Sequence, residues 1–87
     1  MQIEYSKKFI KEFKKCPLKI KVTFKNRLKI FIDNPHNPIL NNHKLSGKLK
    51  KYRSININAD WRVIFQEMIK EKTVYFVAIG THSKLYS

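Results

Sequence analysis

The sequence predicts an α+β fold: an N-terminal strand, a two-helix hairpin, then a three-stranded antiparallel meander. Three observations carry this. Phe9, Ile10, Phe13 and Cys16 recur at helical spacing, and beyond Pro17 a second stripe follows at Ile20, Phe24, Leu28 and Phe31. Residues 52–58 alternate between apolar and polar, as a half-buried strand does. Two apolar runs rich in Val, Ile, Phe and Tyr, residues 63–68 and 74–79, come next with Lys70-Glu71-Lys72 as the turn between them. At 87 residues, the chain is read as one domain, 1–87, with room for a single sheet covered on one side by helices.

Taken in order, residues 2–5 form a short alternating edge strand. Ser6 suits a helix N-cap, since its hydroxyl can accept from a free N–H of the first turn. Lys7, Lys8, Lys11, Lys14 and Lys15 fill the polar side of the first helix, which Pro17 ends. The next stretch reads two ways: Leu18, Ile20, Val22 and Phe24 alternate like a strand, but the helical stripe persists further. A second helix is therefore expected, with Pro17 as its first residue. Asn34-Pro35 and Asn37-Pro38 end it, because a residue preceding proline is pushed out of the helical region. A loop runs through Asn41-Asn42-His43; Leu45 and Leu49 are expected to tuck under the sheet, with Gly47 at a turn between them. In 52–58, Arg53, Ile55 and Ile57 lie on one side, and Tyr52, Ser54, Asn56 and Asn58 on the other. Ala59-Asp60 connects into the strand from Trp61, and the nearly all-apolar third strand is expected to be central and covered on both faces.

Nineteen Lys and Arg against six Asp and Glu give a net charge of +13. A field of that strength attracts polyanions and makes their binding salt-sensitive, so nucleic acid is the first class of partner, ahead of membrane surfaces and acidic proteins. Much of the lysine is also solvated helix coat. Cys16 is alone, which rules out an intrachain disulfide and suits a reducing compartment; it is read as a small buried hydrophobe. The N-terminus lacks the apolar core of a signal peptide, and no apolar run approaches the ~20 residues that span a bilayer. The chain is expected to be soluble and cytoplasmic. No metal-ligand spacing or glycine-rich phosphate loop is present, so neither metal nor cofactor is expected.

The polar residues at the ends of the meander supply the parts for cutting RNA without a metal: a base for the 2′-hydroxyl, an acid for the departing oxygen, and cations for the phosphorane. His43 and Asp60 are candidate bases, His82 is a candidate acid, and Arg62 with nearby lysines can neutralise charge. Each has a plainer alternative. A loop histidine is commonly just polar surface, Asp60 suits a turn, Trp61 suits a core, and Tyr86 can pack a terminus or stack on a base. His82 stands out because Thr81-His82-Ser83 directly follows an apolar strand and projects from its end.

The segments His43-x-Leu45-x-Gly47, Tyr52-Arg53-Ser54-Ile55-Asn56-Ile57-Asn58-Ala59-Asp60-Trp61-Arg62-Val63-Ile64-Phe65 and Ile79-Gly80-Thr81-His82-Ser83-Lys84-Leu85-Tyr86 together resemble the YafQ branch of the RelE/ParE toxin superfamily. The resemblance spans the whole chain and implies the RelE-like βααβββ order. It also implies a ribosome-dependent endoribonuclease that cuts mRNA during translation and is restrained by a cognate antitoxin in a hetero-oligomer. It assigns His43 and Asp60 toward the 2′-hydroxyl, His82 toward the leaving oxygen, Tyr86 to stacking on a base and Trp61 to substrate contact; Arg62 resembles the phosphate-contacting strand arginine of RelE, and Lys84, between His82 and Tyr86, is a further candidate for substrate binding. Two positions depart from the pattern: Asn56 stands where it has a histidine, and Ala78 where it has an arginine. Asn56 can orient phosphate or water but cannot take up a proton, which leaves the base role to His43 or Asp60. Two other readings stay open: a ParE-like inhibitor of DNA gyrase, and a weakened toxin that binds antitoxin and RNA without cutting.

Overall fold

One sheet of five strands organises the computed structural model, which describes residues 1–86. In chain order the elements are β1 (Gln2–Tyr5), α1 (Lys7–Lys14), α2 (Leu18–Asp33), β2 (His43–Lys44), β3 (Arg53–Asn56), β4 (Trp61–Met68), β5 (Thr73–Thr81) and α3 (His82–Tyr86), with single 3₁₀ turns at Pro38–Leu40 and Gly47–Leu49. The strands lie in the order β1-β5-β4-β3-β2; β1 runs parallel to β5 and the other neighbours are antiparallel. The predicted strand, helix pair and meander are all present. Sequence patterning did not show β2 or α3, each too short to display a period.

α1 begins as its sequence dictates. The Ser6 hydroxyl accepts from Phe9 N–H at 2.9 Å, and Phe9 is buried while the lysines of the helix stay in water. The same helix closes an open edge. β1 covers β5 only from Thr73 to Phe76, and beyond that the Ser6 hydroxyl donates to the Val77 carbonyl while the Glu12 carboxylate accepts from Ile79 N–H. Unpaired strand groups are thus satisfied by side chains of the packed helix.

The core lies between the helices and one face of the sheet. Phe76 sits at its centre, with ring centroids of Phe9, Phe24, Phe31 and Phe65 all between 5.7 and 5.9 Å away. Ile55, Val63, Val74 and Ile79 complete the sheet's contribution, and Ile57 joins them from the loop after β3. A register irregularity between Ile64 and Phe65 adds Val77 to β5 without a partner, keeping both Phe65 and Phe76 on the helix side.

Several expectations need adjusting. Ile10 is 45% exposed, because Phe9 and Phe13 already fill the contact with α2. Pro17 is the N-cap and not the first helical residue; its extended ψ of 148° aims its carbonyl at Ile20 and Lys21 N–H. β3 is shorter than the alternating stretch, and a four-residue loop, 57–60, replaces the two-residue connection. Leu45 and Leu49 are only half-buried; the leucine that fills the core is Leu40, 0% exposed, inserted by the 3₁₀ turn after Pro38. Leu49 instead shares a groove with Tyr52, Ile64, Ala78 and Leu85 on the other face, where Ile64 and Ala78 are buried; β5 is thus covered on both sides, but the central strand of the five is β4 and not β5.

Candidate active site

Strand alternation divides the sheet's residues between two environments. Ile55, Val63 and Ile79 are cross-strand neighbours facing the helices, so the rows beside them, Asn56–Arg62–Gly80 and Ser54–Ile64–Ala78, face away from α1 and α2. β2 adds His43 opposite Ser54. The site forms on this second face, where α3 folds back over the end of β5.

Two residues build that return. Thr81 Oγ1 accepts from Lys84 N–H at 3.3 Å and so caps the new helix. A β-carbon on Gly80 would lie 3.3 Å from the Leu85 side chain, so glycine lets α3 seat closely. Being four apart, His82 and Tyr86 share one side of α3, with ring centroids at 4.7 Å. The backbone N–H of His82 donates to the Asp60 carbonyl at 2.8 Å, tying the helix start to the β3–β4 loop.

That loop is held by a dense set of bonds. The Asn58 side-chain oxygen accepts from both Asp60 and Trp61 N–H, at 3.0 and 2.8 Å. Arg62 donates Nη1 to the carbonyls of Asn58 and Trp61 and Nη2 to that of Ala59. From the other side Arg27 Nε donates to the Ile57 carbonyl. A guanidinium has five N–H donors, so Arg62 fixes the loop and still retains its Nε–H and one Nη2–H.

His43 has a defined tautomer when neutral. Its Nδ1 lies 2.8 Å from the Asn41 carbonyl, which can only accept. Nδ1 therefore carries the hydrogen and Nε2 keeps its lone pair, the form a general base needs. Asn41 aims that carbonyl from a left-handed backbone (φ 47°), a conformation asparagine tolerates better than most residues.

These pieces surround one open cleft of about 400 Å³, lined by Asn41, His43, Lys44, Leu45, Ser46, Arg62, His82 and Tyr86. None of the lining residues is acidic. The structure thus brings together His43, Arg62, His82 and Tyr86. Asn56 lies beside them, directly across from Arg62, with its Oδ1 buried and unbonded by the protein; the Tyr86 hydroxyl is in the same condition. Asp60 is exposed and does not line the cleft; its backbone carbonyl alone ties it to His82. Trp61 and Lys84 lie elsewhere: Trp61 is half-buried against the core, and both line a separate cleft beside α1. Sequence reasoning missed Asn41 and Asn58, which orient the candidate bases through backbone groups. An asparagine next to a turn was the available signal. Among the described residues no His, Cys, Asp and Glu side chains cluster in threes as a metal site requires, and no helix is long and apolar enough to cross a membrane.

The profile of a family described as "Bacterial toxin of type II toxin-antitoxin system, YafQ" matches residues 1–87. The mRNA interferase toxin YafQ of Escherichia coli (strain K12) is 31% identical over 90 residues, spanning 97% of this chain and 94% of that protein. The crystal structure of YafQ from E. coli strain BL21(DE3) is similar with a TM-score of 0.81 at 27% identity, covering 99% of this chain and 98% of that one. A chain of the E. coli DinJ-YafQ toxin-antitoxin complex is similar with a TM-score of 0.78 at 27% identity, over 99% and 97% of the two chains. The chain belongs to the YafQ family of bacterial type II toxin–antitoxin toxins.

Proposed function

We propose that this toxin is a ribosome-dependent endoribonuclease that cuts mRNA by acid–base catalysis without a metal. The observation that carries the proposal is the meeting of His43 and His82 across one basic cleft with Arg62 and Tyr86. His43 Nε2, or Asp60, takes the proton of the 2′-hydroxyl, whose oxygen attacks the adjacent phosphorus. The P–O5′ bond breaks as His82 gives its proton to the departing O5′, leaving a 2′,3′-cyclic phosphate and a 5′-hydroxyl. The two unused N–H groups of Arg62 neutralise the phosphorane oxygens, Asn56 accepts a hydrogen bond from the nucleotide, and Tyr86 stacks on a base. Asn56, whose amide can hydrogen-bond a nucleotide but cannot take up a proton, also motivates a second reading, a toxin that binds RNA but cuts it weakly.

The partner that restrains it is a cognate antitoxin, as the DinJ-YafQ complex of the relative suggests. A groove of about 380 Å³ at the α1–α2 contact, lined by Tyr5, Phe9, Ile10, Phe13, Phe24 and Leu28 and flanked by Lys14 and Lys25, suits an amphipathic acidic segment of such a protein. The site of action is cytoplasmic, where the ribosome is.

Primer extension on mRNA after induction, wild type beside His82→Gln, tests the reaction. Discrete cuts with the wild type, absent in a variant that keeps its melting temperature, are expected. Equal cutting by both proteins would overturn the role of His82, and intact mRNA in both would favour the binding-only reading.

A further inference from the structure

The ends of β4 and β5 separate two clefts. Arg62 and His82 face the active site, whereas their chain neighbours Trp61 and Thr81 face a second cleft of about 360 Å³. α3 divides its side chains the same way, with His82 and Tyr86 on one side and Lys84 on the other. Lys8, Lys11 and Lys15 of the α1 segment form the opposite wall.

The chemistry of this second cleft is specific. Four lysines face a single carboxylate, Glu12, whose oxygens are already engaged: Oε1 accepts from Ile79 N–H at 3.2 Å, and Oε2 lies 3.5 Å from Lys8 Nζ. Among the described residues Lys11 and Lys15 have no acidic partner, and both are exposed. Trp61, the one tryptophan of the chain, is half-buried here, anchored against the core on one side and open to the cleft on the other. An aromatic ring fixed among lysines is the arrangement that holds single-stranded nucleic acid, by base stacking and phosphate neutralisation. An acidic helix would instead favour an apolar groove with charged flanks, which this protein offers at a different place.

We infer that this lysine-walled cleft is a second RNA subsite, holding the strand on one side of the scissile phosphate with a base on Trp61 and two backbone phosphates on Lys11 and Lys15. The inference rests on the ribonuclease reading for what happens at the other cleft, but not for binding itself. A strand gripped in both clefts must turn over the ridge formed by residues 60–61 and 81–82, and a held turn fixes the reacting geometry at the phosphate between them.

The experiment uses the His82→Gln protein, which keeps the substrate whole, and a short fluorescein-labelled RNA. Saturating RNA is expected to quench Trp61 emission. Lys11→Ala/Lys15→Ala in the same background is expected to weaken binding about tenfold and to lower the salt slope by about 1.4, the value for two single-strand phosphates. With His82 restored, the double variant is expected to raise KM and also to lower kcat, since the strand is no longer held in its turn at the reacting phosphate. Unchanged affinity and slope with no quench would overturn the subsite, as would a double variant that weakens antitoxin binding but not RNA binding. Quench and slope change in the His82→Gln protein, together with no mRNA cutting by the wild type, would uphold the subsite and sink the ribonuclease reading, so the two failures are distinguishable.

Discussion

The two faces of this sheet use the same strands for opposite purposes. Toward the helices, Val63, Phe65, Phe76 and Ile79 are at most 2% exposed and hold no polar atom needing a partner. Toward the cleft, one residue away along each strand, stand Asn56, Arg62 and the glycine that seats α3. Stability is concentrated on the first face, while the second can afford unbonded buried atoms such as Asn56 Oδ1 and the Tyr86 hydroxyl. Polar groups left unbonded cost folding free energy and are kept where a ligand can use them. A period of two residues lets one short chain do both.

Breaking the helix-facing side should produce the largest stability change. Phe76→Ala removes the ring on which four other phenylalanines converge, and is expected to cost about 3–5 kcal/mol, a large share of what a domain of this size has. Thermal or urea unfolding measures it, and a loss under about 1 kcal/mol would mean that the faces are not divided as described. Changing the cleft-facing side should show the reverse pattern. Asn58→Ala leaves Asp60 and Trp61 N–H without their acceptor, and a stability loss of about 1–2 kcal/mol is expected. Cleavage should fall further than that loss explains, with kcat affected more than KM, because the loop carrying Asp60 and bonding His82 loosens. Asn58→Asp, which keeps the acceptor, should restore both; if cleavage stays at the wild-type level in Asn58→Ala, the loop does not position the site.

The smallest effect concerns Cys16, which is buried beneath α1 and donates to the Glu12 carbonyl. Burial pushes its thiol up from the ordinary value. The folded protein therefore favours the neutral thiol, and this contribution is whole below the unfolded thiol's titration range and disappears as pH rises through the folded value. Thiol labelling of the native protein is expected to be much slower than after denaturation at the same pH. Equal rates would show that Cys16 is accessible.

How much of this was legible depended on the length of the signal. α2 was recognised because its stripe continues to Phe31, past the point where a strand reading of residues 18–24 would stop. β2 spans two residues and α3 five, so neither could declare itself by period, although Thr81 three residues before Lys84 carried a capping signal for α3. His43, Arg62, His82 and Tyr86 were identifiable by residue type and motif, but not which of them share a cleft. Trp61 shows the limit: it adjoins Arg62 in sequence and lies on the other face of the sheet.

By itself, the sequence determined what depends on neighbours along the chain: the capped α1, the helix break at Asn34-Pro35, the alternation of the meander and the positive charge. Only the tertiary structure decided which distant groups meet: the Asn41 carbonyl on His43, the Asp60 carbonyl on His82, Glu12 on the open edge of β5, and the division of the candidate site residues between two clefts. Local preference sets backbone angles a few residues at a time, whereas these contacts depend on how strands register and on which side of β5 the last helix comes to rest.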